Sequence, residues 1–365
     1  MNRLNLNIRL LITFLILLIG TVAAELFFRK SQPFEFVAEM KESVSLTKKW
    51  FTIIEQVKNE KGIKSDASTN VPYNFMIGNE WSEITTTLGS LESKETSTNP
   101  DFSALIVRLL HEAKISKGDK VGVVLSGSFP ALAISVLVAL QTMEVDAVVM
   151  SSIGASTYGA NQPEVTWSDM ESALNKRGGL KYSSCLVSIG AGDDSGIGLS
   201  EEGLADIQNA AIRNNVNLYI PVSLEESIEK RAELFNKEKI SLLINIGGNQ
   251  IALGNCSHSL SIPNGLHSKL IGCTDDNRGL IVRMNELEIP FIQMLNIKDL
   301  ASRYGIAISP GNNYSESANL FVSNRTNKPV LGIILLVGLI PVYFLGKNTI
   351  INQNSYKLYV KPKIS

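Results

Sequence analysis

Cysteine and histidine are scarce in this chain, which has 3 of each among its 365 residues. The three cysteines, Cys185, Cys256 and Cys273, have no paired spacing, which excludes a disulfide framework and a cysteine-rich zinc site. A single bridge between Cys256 and Cys273 stays open if the domain faces an oxidising compartment. Cys185 lies inside an apolar run and is predicted to be buried. The histidines show no metal-ligand spacing, so the sequence predicts no metal site.

An excess of either charge is also lacking, since 34 basic residues nearly balance 35 acidic ones. No basic face stands out, and nucleic acid is not expected as a partner. Two catalytic motifs are missing as well. No glycine-rich segment continues into the Gly-Lys-Ser/Thr of a P-loop. The positions flanking Ser128 in a nucleophile elbow would be glycines, but here they are Ser126 and Pro130. The sequence assigns no cofactor.

Charged residues are missing altogether from two long segments near the ends of the chain. The first extends from Leu10 to Ala24 and the second from Pro329 to Gly346. Each is near the length with which a helix crosses a bilayer core of roughly 30 Å, and only a helix satisfies its own backbone there. We therefore predict an N-terminal anchor within residues 1–30 and a transmembrane helix at 329–346. A cleaved signal peptide is the alternative for the first segment, because Val22-Ala23-Ala24 resembles a cleavage site.

The tail that follows the second apolar segment, residues 347–365, carries lysines and no acidic residue. Basic flanks favour the cytoplasmic side of a membrane. Two crossings would then place the N-terminus on that same side, and the central portion would face outward. The sequence thus predicts a protein of the cell membrane with an extracytoplasmic central domain.

Between the anchors, the pattern divides into three parts. Residues 31–100 are predicted to form an amphipathic helix and a polar linker, with a short helix near Trp81–Leu88 and a loop at Glu92–Asn99. Over 101–310, continuous apolar runs alternate with helical patterns, which is typical of a parallel sheet covered on both faces. Residues 311–328 are predicted to be a second linker. The predicted fold class is α/β, with an open, doubly wound, mostly parallel sheet and a transmembrane helix at each end.

Four of the predicted strands end in loops of small residues, and these loops carry the strongest signal for a site. In an open α/β sheet the ligand crevice lies outside the carboxyl ends of the strands. Glycine in such loops lets the backbone approach a ligand closely. The residues predicted to line the crevice are Ser126, Gly127, Ser128, Ser156, Asn161, Trp167, Gly190, Gly192, Asp193, Gly247, Gly248 and Asn249.

Ser128, Asp193 and Asp194 are the candidates for catalysis, and each has an alternative interpretation. The two aspartates lie among glycines and could ligate a hard cation or serve as general acid and base. They could equally stabilise a turn. Ser128 could be a nucleophile, but a helix cap ahead of Pro130 is favoured. The polar segment 156–167 is predicted to be a lid or recognition loop over the crevice.

Five segments, taken together, resemble the bacterial poly-gamma-glutamate system proteins. The segments are SGSFPA (126–131), SIGAS (152–156), GAN (159–161), TWSDM (166–170) and NIGG (245–248). The similarity covers 101 to about 310, with an anchor at each end. Such proteins accompany the machinery that makes and exports a polymer of glutamate joined through its side-chain amides.

The resemblance implies a membrane-anchored accessory component of that machinery, which works with its other subunits and binds an anionic ligand or a partner. Two further functions stay open. One is an enzyme, an extracytoplasmic amide hydrolase or transferase that trims or attaches the polymer. The other is a membrane-tethered sensor of a small anion.

Overall fold

The computed structural model describes residues 3–27, 29–63, 69–256, 259–270, 278–326, 328–340 and 343–344. The helices are α1 (Arg3–Phe27), α2 (Val37–Glu60), α3 (Leu91–Ser97), α4 (Asp101–Glu112), α5 (Pro130–Thr142), α6 (Trp167–Ala173), α7 (Glu201–Arg213), α8 (Leu224–Glu238), α9 (Gln250–Leu253), α10 (Leu280–Glu286), α11 (Ile297–Tyr304) and α12 (Lys328–Ile340). The strands are β1 (Arg29–Pro33), β2 (Lys120–Ser126), β3 (Asp146–Ser152), β4 (Ser184–Ser188), β5 (Leu218–Tyr219), β6 (Leu242–Ile246), β7 (Gly265–His267), β8 (Phe291–Met294) and β9 (Val322–Thr326). The chain separates into two compact units: unit 1 combines Met1–Phe34 with Val322–Ser365, and unit 2 is Glu35–Phe321.

Unit 1 contains both apolar segments. Within α1, the 18 residues Leu10–Phe27 have a mean hydropathy of 2.5, and α1 is the one described helix that is long and apolar enough to cross a membrane. The described helix α12 is apolar but shorter. Tyr343 and Phe344 are also helical, and the other residues predicted to complete the 329–346 helix lie outside the described part of the chain. The structure therefore shows one candidate span and one shorter apolar helix.

Two glycines allow α1 and α12 to approach each other within unit 1. A Cβ atom added at Gly20 would lie 2.6 Å from Cγ2 of Ile334, and one added at Gly338 would lie 2.5 Å from Cδ2 of Leu17. Small residues at such contacts are characteristic of helix pairs in membranes. The chain ends are also joined by an antiparallel pair of strands, β1 and β9, whose register runs from Arg29↔Thr326 to Pro33↔Val322.

Unit 2 is built around a seven-stranded sheet with the order β5-β4-β3-β2-β6-β8-β7. Every neighbouring pair is parallel except β7 with β8. The predicted α/β class and the mostly parallel sheet are thereby confirmed. All five residues of β6 and nearly all of β2 are buried, which explains why these strands appear in the sequence as continuous apolar runs.

The strand order reverses its direction between β2 and β6. Strands β2 to β5 follow one another towards one edge of the sheet, whereas β6 and β8 lie on the other side of β2. Ligands of open α/β sheets bind in the crevice outside the carboxyl ends of the strands at such a reversal. The loops after Ser126, the last residue of β2, and Ile246, the last residue of β6, flank this crevice.

Helices cover the sheet and complete the core of unit 2. Residues of α8, α9 and α10 form one apolar cluster with Val124, Met150 and Leu243 of the sheet. Helix α5 is buried from Pro130 to Leu140 and packs with α2 and α4. The amphipathic helix expected after the first anchor is α2, and it packs against α4 and α5 within unit 2.

The sequence prediction is wrong in part of the stretch 61–100. Residues 81–88 contain turns and bends but no helix, whereas α3 forms inside the run predicted to be a loop. Ser90 begins α3, because its Oγ accepts a hydrogen bond from the backbone N–H of Ser93 at 3.3 Å. Helix α3 contacts α11, and its residues Lys94, Thr96 and Ser97 are buried. The tertiary contact therefore supports a helix whose polar composition does not predict one.

The cysteines differ from one another in their surroundings. Cys185 in β4 is free and exposed, so the prediction of a buried thiol is wrong. The edge strand β5 pairs only with Val187 and Ser188, and it leaves the start of β4 uncovered. Cys256 is in a disulfide bond. The remaining cysteine, Cys273, lies outside the described residues.

Candidate functional site

A cavity of about 540 Å³ opens at the carboxyl ends of β2, β3, β4 and β6. This volume lies within the usual range for small-molecule sites, roughly 300–1,000 Å³. Most residues of the segments 86–90, 126–129, 152–156, 190–194 and 248–251 form the wall, together with Ser93, Lys94 and Leu295; the exceptions within these segments are Gly127, Ile153, Ala155 and Asp193. The loops after β2 and β6 are both present, so the cavity occupies the crevice where the strand order reverses.

Most of the predicted small-residue loops contribute to this wall. The predicted residues on the wall are Ser126, Ser128, Ser156, Gly190, Gly192, Asp194, Gly248 and Asn249. They converge because the carboxyl ends of parallel strands meet at one edge of a sheet. Gly127, Asn161, Trp167, Asp193 and Gly247 were predicted with them but do not line the cavity.

Two of the residues away from the wall nevertheless shape it. Gly127 allows close packing of neighbouring loops, because a Cβ there would lie 2.8 Å from the carbonyl oxygen of Ile153. The Asn161 side chain accepts a hydrogen bond from the N–H of Asn79 at 2.9 Å and donates to its carbonyl at 2.8 Å. It also donates to Thr85 Oγ1 at 3.0 Å. Asn161 thus holds the segment that leads into the wall at residue 86.

The segment 156–167 does not cover the cavity, and the prediction of a lid is wrong. Asn161 and Trp167 are fully buried, Thr157 is 2% exposed, and only Ser156 of this segment lines the wall. Segment 86–90 contributes exposed residues to the wall, among them Leu88, which is 82% exposed. This wall segment was not predicted from the sequence, because it is short and has no periodic pattern.

Ser128 does not cap the helix that follows it, contrary to the favoured prediction. The N-cap of α5 is Phe129, which makes no side-chain cap hydrogen bond, and Pro130 occupies the first turn as expected. The Ser128 hydroxyl instead accepts a hydrogen bond from the backbone N–H of Ser156 at 3.0 Å. This bond joins the loops after β2 and β3 on the cavity wall.

Asp194 lies at the base of the cavity with its carboxylate already engaged. It accepts hydrogen bonds from the hydroxyls of Ser188 at 2.6 Å and Ser227 at 2.7 Å, and it forms a buried ion pair with Arg231 at 3.0 Å. Asp193 makes a different contact, donating its backbone N–H to the Gln250 side chain at 2.9 Å. Both aspartates have positive φ angles, so they occupy a tight turn.

These contacts favour a structural role for the two aspartates. Within the described ranges, no group of three or more His, Cys, Asp or Glu side chains could hold a metal ion. His267 is not on the cavity wall, and His258 lies outside the described residues.

Lys94 of α3 also lines the cavity and is a charged wall residue that was not predicted from the sequence. Its side chain is 2% exposed, and its Nζ donates to Ser156 Oγ at 2.7 Å and to the backbone carbonyl of Ser128. The ring of Phe129 lies 3.7 Å from the same nitrogen. Burial lowers the pKa of Lys94 to about 7, because removal from water disfavours the charged amine. A polar run with one lysine carries no sequence signal for this position.

Comparisons with known proteins identify no family for this chain. No protein-family model, curated protein or solved structure matches it. The resemblance to the poly-gamma-glutamate system proteins therefore stays a prediction from the sequence segments.

Proposed function

We propose that this protein is a membrane-anchored accessory component of poly-gamma-glutamate synthesis or export, and that its cavity binds a short stretch of the polymer. The observation that carries the proposal is the donor-rich wall of the cavity. Hydroxyls of Ser90, Ser93 and Thr87, with the side-chain amide of Gln250, border a space of about 540 Å³. A glutamyl chain offers carboxylate and amide oxygens that accept such hydrogen bonds.

Anchoring by both chain ends is the second part of the proposal. Helix α1 has the length and hydropathy of a membrane span. The close contacts at Gly20 and Gly338 suit a pair of membrane helices, and α12 would be the second span once its following residues are included. A disulfide at Cys256 favours an oxidising, extracytoplasmic location for unit 2.

Direct binding is the test of the cavity. Full-length protein in a non-ionic detergent would be titrated into a fluorescent γ-linked glutamate oligomer, with an α-linked oligomer of equal length as the control. We expect the γ-linked oligomer to bind more tightly. Ser93→Trp, which fills the cavity from α3, should abolish binding, whereas Ser302→Trp at an exposed position of α11 should not. Equal affinity of both variants for the oligomer would rule out the cavity as its site.

Cys185 offers a test of orientation, since it is a free and exposed thiol in unit 2. A maleimide that cannot cross membranes should label it in intact cells if unit 2 faces outward. Labelling only after the cells are lysed would place unit 2 in the cytoplasm and would contradict the proposed topology.

Loss of the gene is the test of the cellular role. We expect the amount of surface polymer to fall sharply in a strain without it, and full-length protein to restore it. Unchanged amount and chain length of the polymer would contradict the assignment to this machinery.

A further inference from the structure

Lys94 and Ser156 meet on the cavity wall in an arrangement suited to acyl transfer. The Lys94 Nζ lies 2.7 Å from Ser156 Oγ. The carbonyl of Ser128 and the ring of Phe129 hold the amine in that position. A nucleophile within hydrogen-bond reach of a base, with the base held by a further group, defines the serine–lysine variant of covalent catalysis.

Lys94 has the properties required of the base. A general base must be able to lose its proton, and a carboxylate beside a lysine would prevent this by stabilising the charged amine. The pKa of Lys94 is shifted by burial alone, which favours the neutral amine. Its pKa of about 7 leaves a substantial fraction of neutral amine near neutral pH. The neutral amine can then accept the hydroxyl proton of Ser156.

The Ser128 hydroxyl is a third polar group of this arrangement, beside Ser156 on the cavity wall. Its oxygen accepts the Ser156 N–H at 3.0 Å. Its proton is donated to no residue in the part of the chain that the structure describes, so it can turn towards a negatively charged oxygen in the cavity. A hydrogen-bond donor aimed at such an oxygen stabilises the tetrahedral intermediate of acyl transfer.

We propose that Ser156 is a nucleophile that accepts the acyl group of an amide or ester bound in the cavity, with Lys94 as its general base. Ser156 Oγ bonds to the carbonyl carbon while its proton passes to Lys94 Nζ. The carbon–nitrogen or carbon–oxygen bond then breaks, and the protonated Lys94 returns the proton to the leaving amine or alcohol. Water attacks the resulting ester, its proton moves through Lys94 to Ser156, and a carboxylic acid is released.

The identity of the acyl group rests on the proposed function, which makes it a γ-glutamyl unit. The assignment of Ser156 as nucleophile and Lys94 as base does not depend on that function. A fluorophosphonate is the appropriate probe, because it labels activated serines whatever their substrate. Full-length protein in detergent should gain one label, and peptide mass mapping should place it on Ser156. The rate of labelling should rise with pH around a midpoint near 7, as Lys94 loses its proton.

Matched variants separate the chemistry from stability. Ser156→Ala and Lys94→Met should each slow labelling by about 100-fold or more. Ser135→Ala removes a buried serine whose hydroxyl only bonds the carbonyl of Ala131, and Lys58→Met removes a second buried lysine away from the wall. Both controls should label at the rate of the unmodified protein.

The results distinguish this proposal from the proposed function. Wild-type protein that binds the γ-linked oligomer but takes no label, or takes it away from Ser156, would overturn the acyl-transfer proposal alone. Label on Ser156 without oligomer binding would support the nucleophile and reject the polymer as its ligand. Mapping is done on the wild-type chain, so neither result depends on a variant that fails to fold.

Discussion

Among its described residues, unit 2 contains two buried lysines, and the contacts of their amines differ. Lys58 in α2 is 1% exposed, Lys94 in α3 is 2% exposed, and burial lowers the pKa of each to about 7. The amine of Lys58 has no hydrogen-bond partner among the described residues. The amine of Lys94 contacts a hydroxyl and a carbonyl on a cavity wall. A lowered pKa alone therefore does not identify a functional lysine, and the decisive feature is what the amine faces.

A third buried cation, Arg231, shows the opposite case and gives the largest expected effect. Its partner Asp194 is buried with it, so Asp194→Asn leaves a charge without compensation and should lower the free energy of unfolding by about 3–5 kcal/mol. Asp193→Asn is the matched control and should change it by less than about 0.5 kcal/mol. Urea denaturation of full-length protein in detergent measures both. Equal losses would show that the ion pair between Asp194 and Arg231 does not stabilise the folded protein.

The pH dependence of stability tests both lysines together. Burial lowers the pKa of both lysines in the folded state from the ordinary 10.5 to about 7, so the unfolded chain binds more protons between these two pH values. Stability should therefore rise with pH from 7 to 9, by at most about 1.4 kcal/mol per pH unit for each lysine. Below pH 7 both states are protonated and this contribution levels off. Lys58→Met and Lys94→Met should each reduce the slope of the free energy of unfolding against pH by the contribution of one lysine. An unchanged slope would show that burial does not lower the pKa of the lysine that was replaced.

Replacing each lysine by methionine at pH 7 should change the free energy of unfolding by different amounts, because the two amines have different contacts. Lys58→Met removes an amine without a partner and should raise the free energy of unfolding by about 1–3 kcal/mol. Lys94→Met should raise it less, because the Ser128 carbonyl and the Ser156 hydroxyl lose their donor. Urea denaturation of the two variants measures both changes. Equal gains in the free energy of unfolding would show that the contacts of Lys94 do not distinguish it from Lys58.

The smallest effect is expected for Ser156→Ala. Loss of one hydrogen bond to Lys94 should change the free energy of unfolding by about 1 kcal/mol or less. Thermal unfolding of the variant checks this value. A much larger loss would mean that Ser156 mainly holds the cavity wall together.

The sheet could be predicted because its strands are buried on both faces, as in the run Leu242–Ile246. The position of the cavity followed from the loops after such strands, and Ser126, Ser156 and Gly248 lie on its wall. The sequence did not reveal Lys94. Its amine contacts Ser128, Phe129 and Ser156, which lie 34 to 62 positions along the chain, and no local sequence pattern predicts those contacts.

Asn161 illustrates a second reason why sequence reasoning stopped short. Its amide in a polar segment suggested contact with a ligand, but it holds the backbone of Asn79 instead. Ser128 was assigned to a helix end because Pro130 follows it, yet its hydroxyl bonds to the next loop. The residue types were informative, whereas their partners depended on how distant loops come together.

The pairing of β1 with β9 makes unit 2 an insertion within a hairpin. Pro33 is opposite Val322, and paired residues of antiparallel strands have Cα atoms about 4.5–5.5 Å apart. The chain thus enters and leaves unit 2 at neighbouring points, and domains with ends this close tolerate insertion into another protein and circular permutation. A gene segment for Glu35–Phe321 could be placed in a hairpin turn of an unrelated carrier protein without stretching either junction.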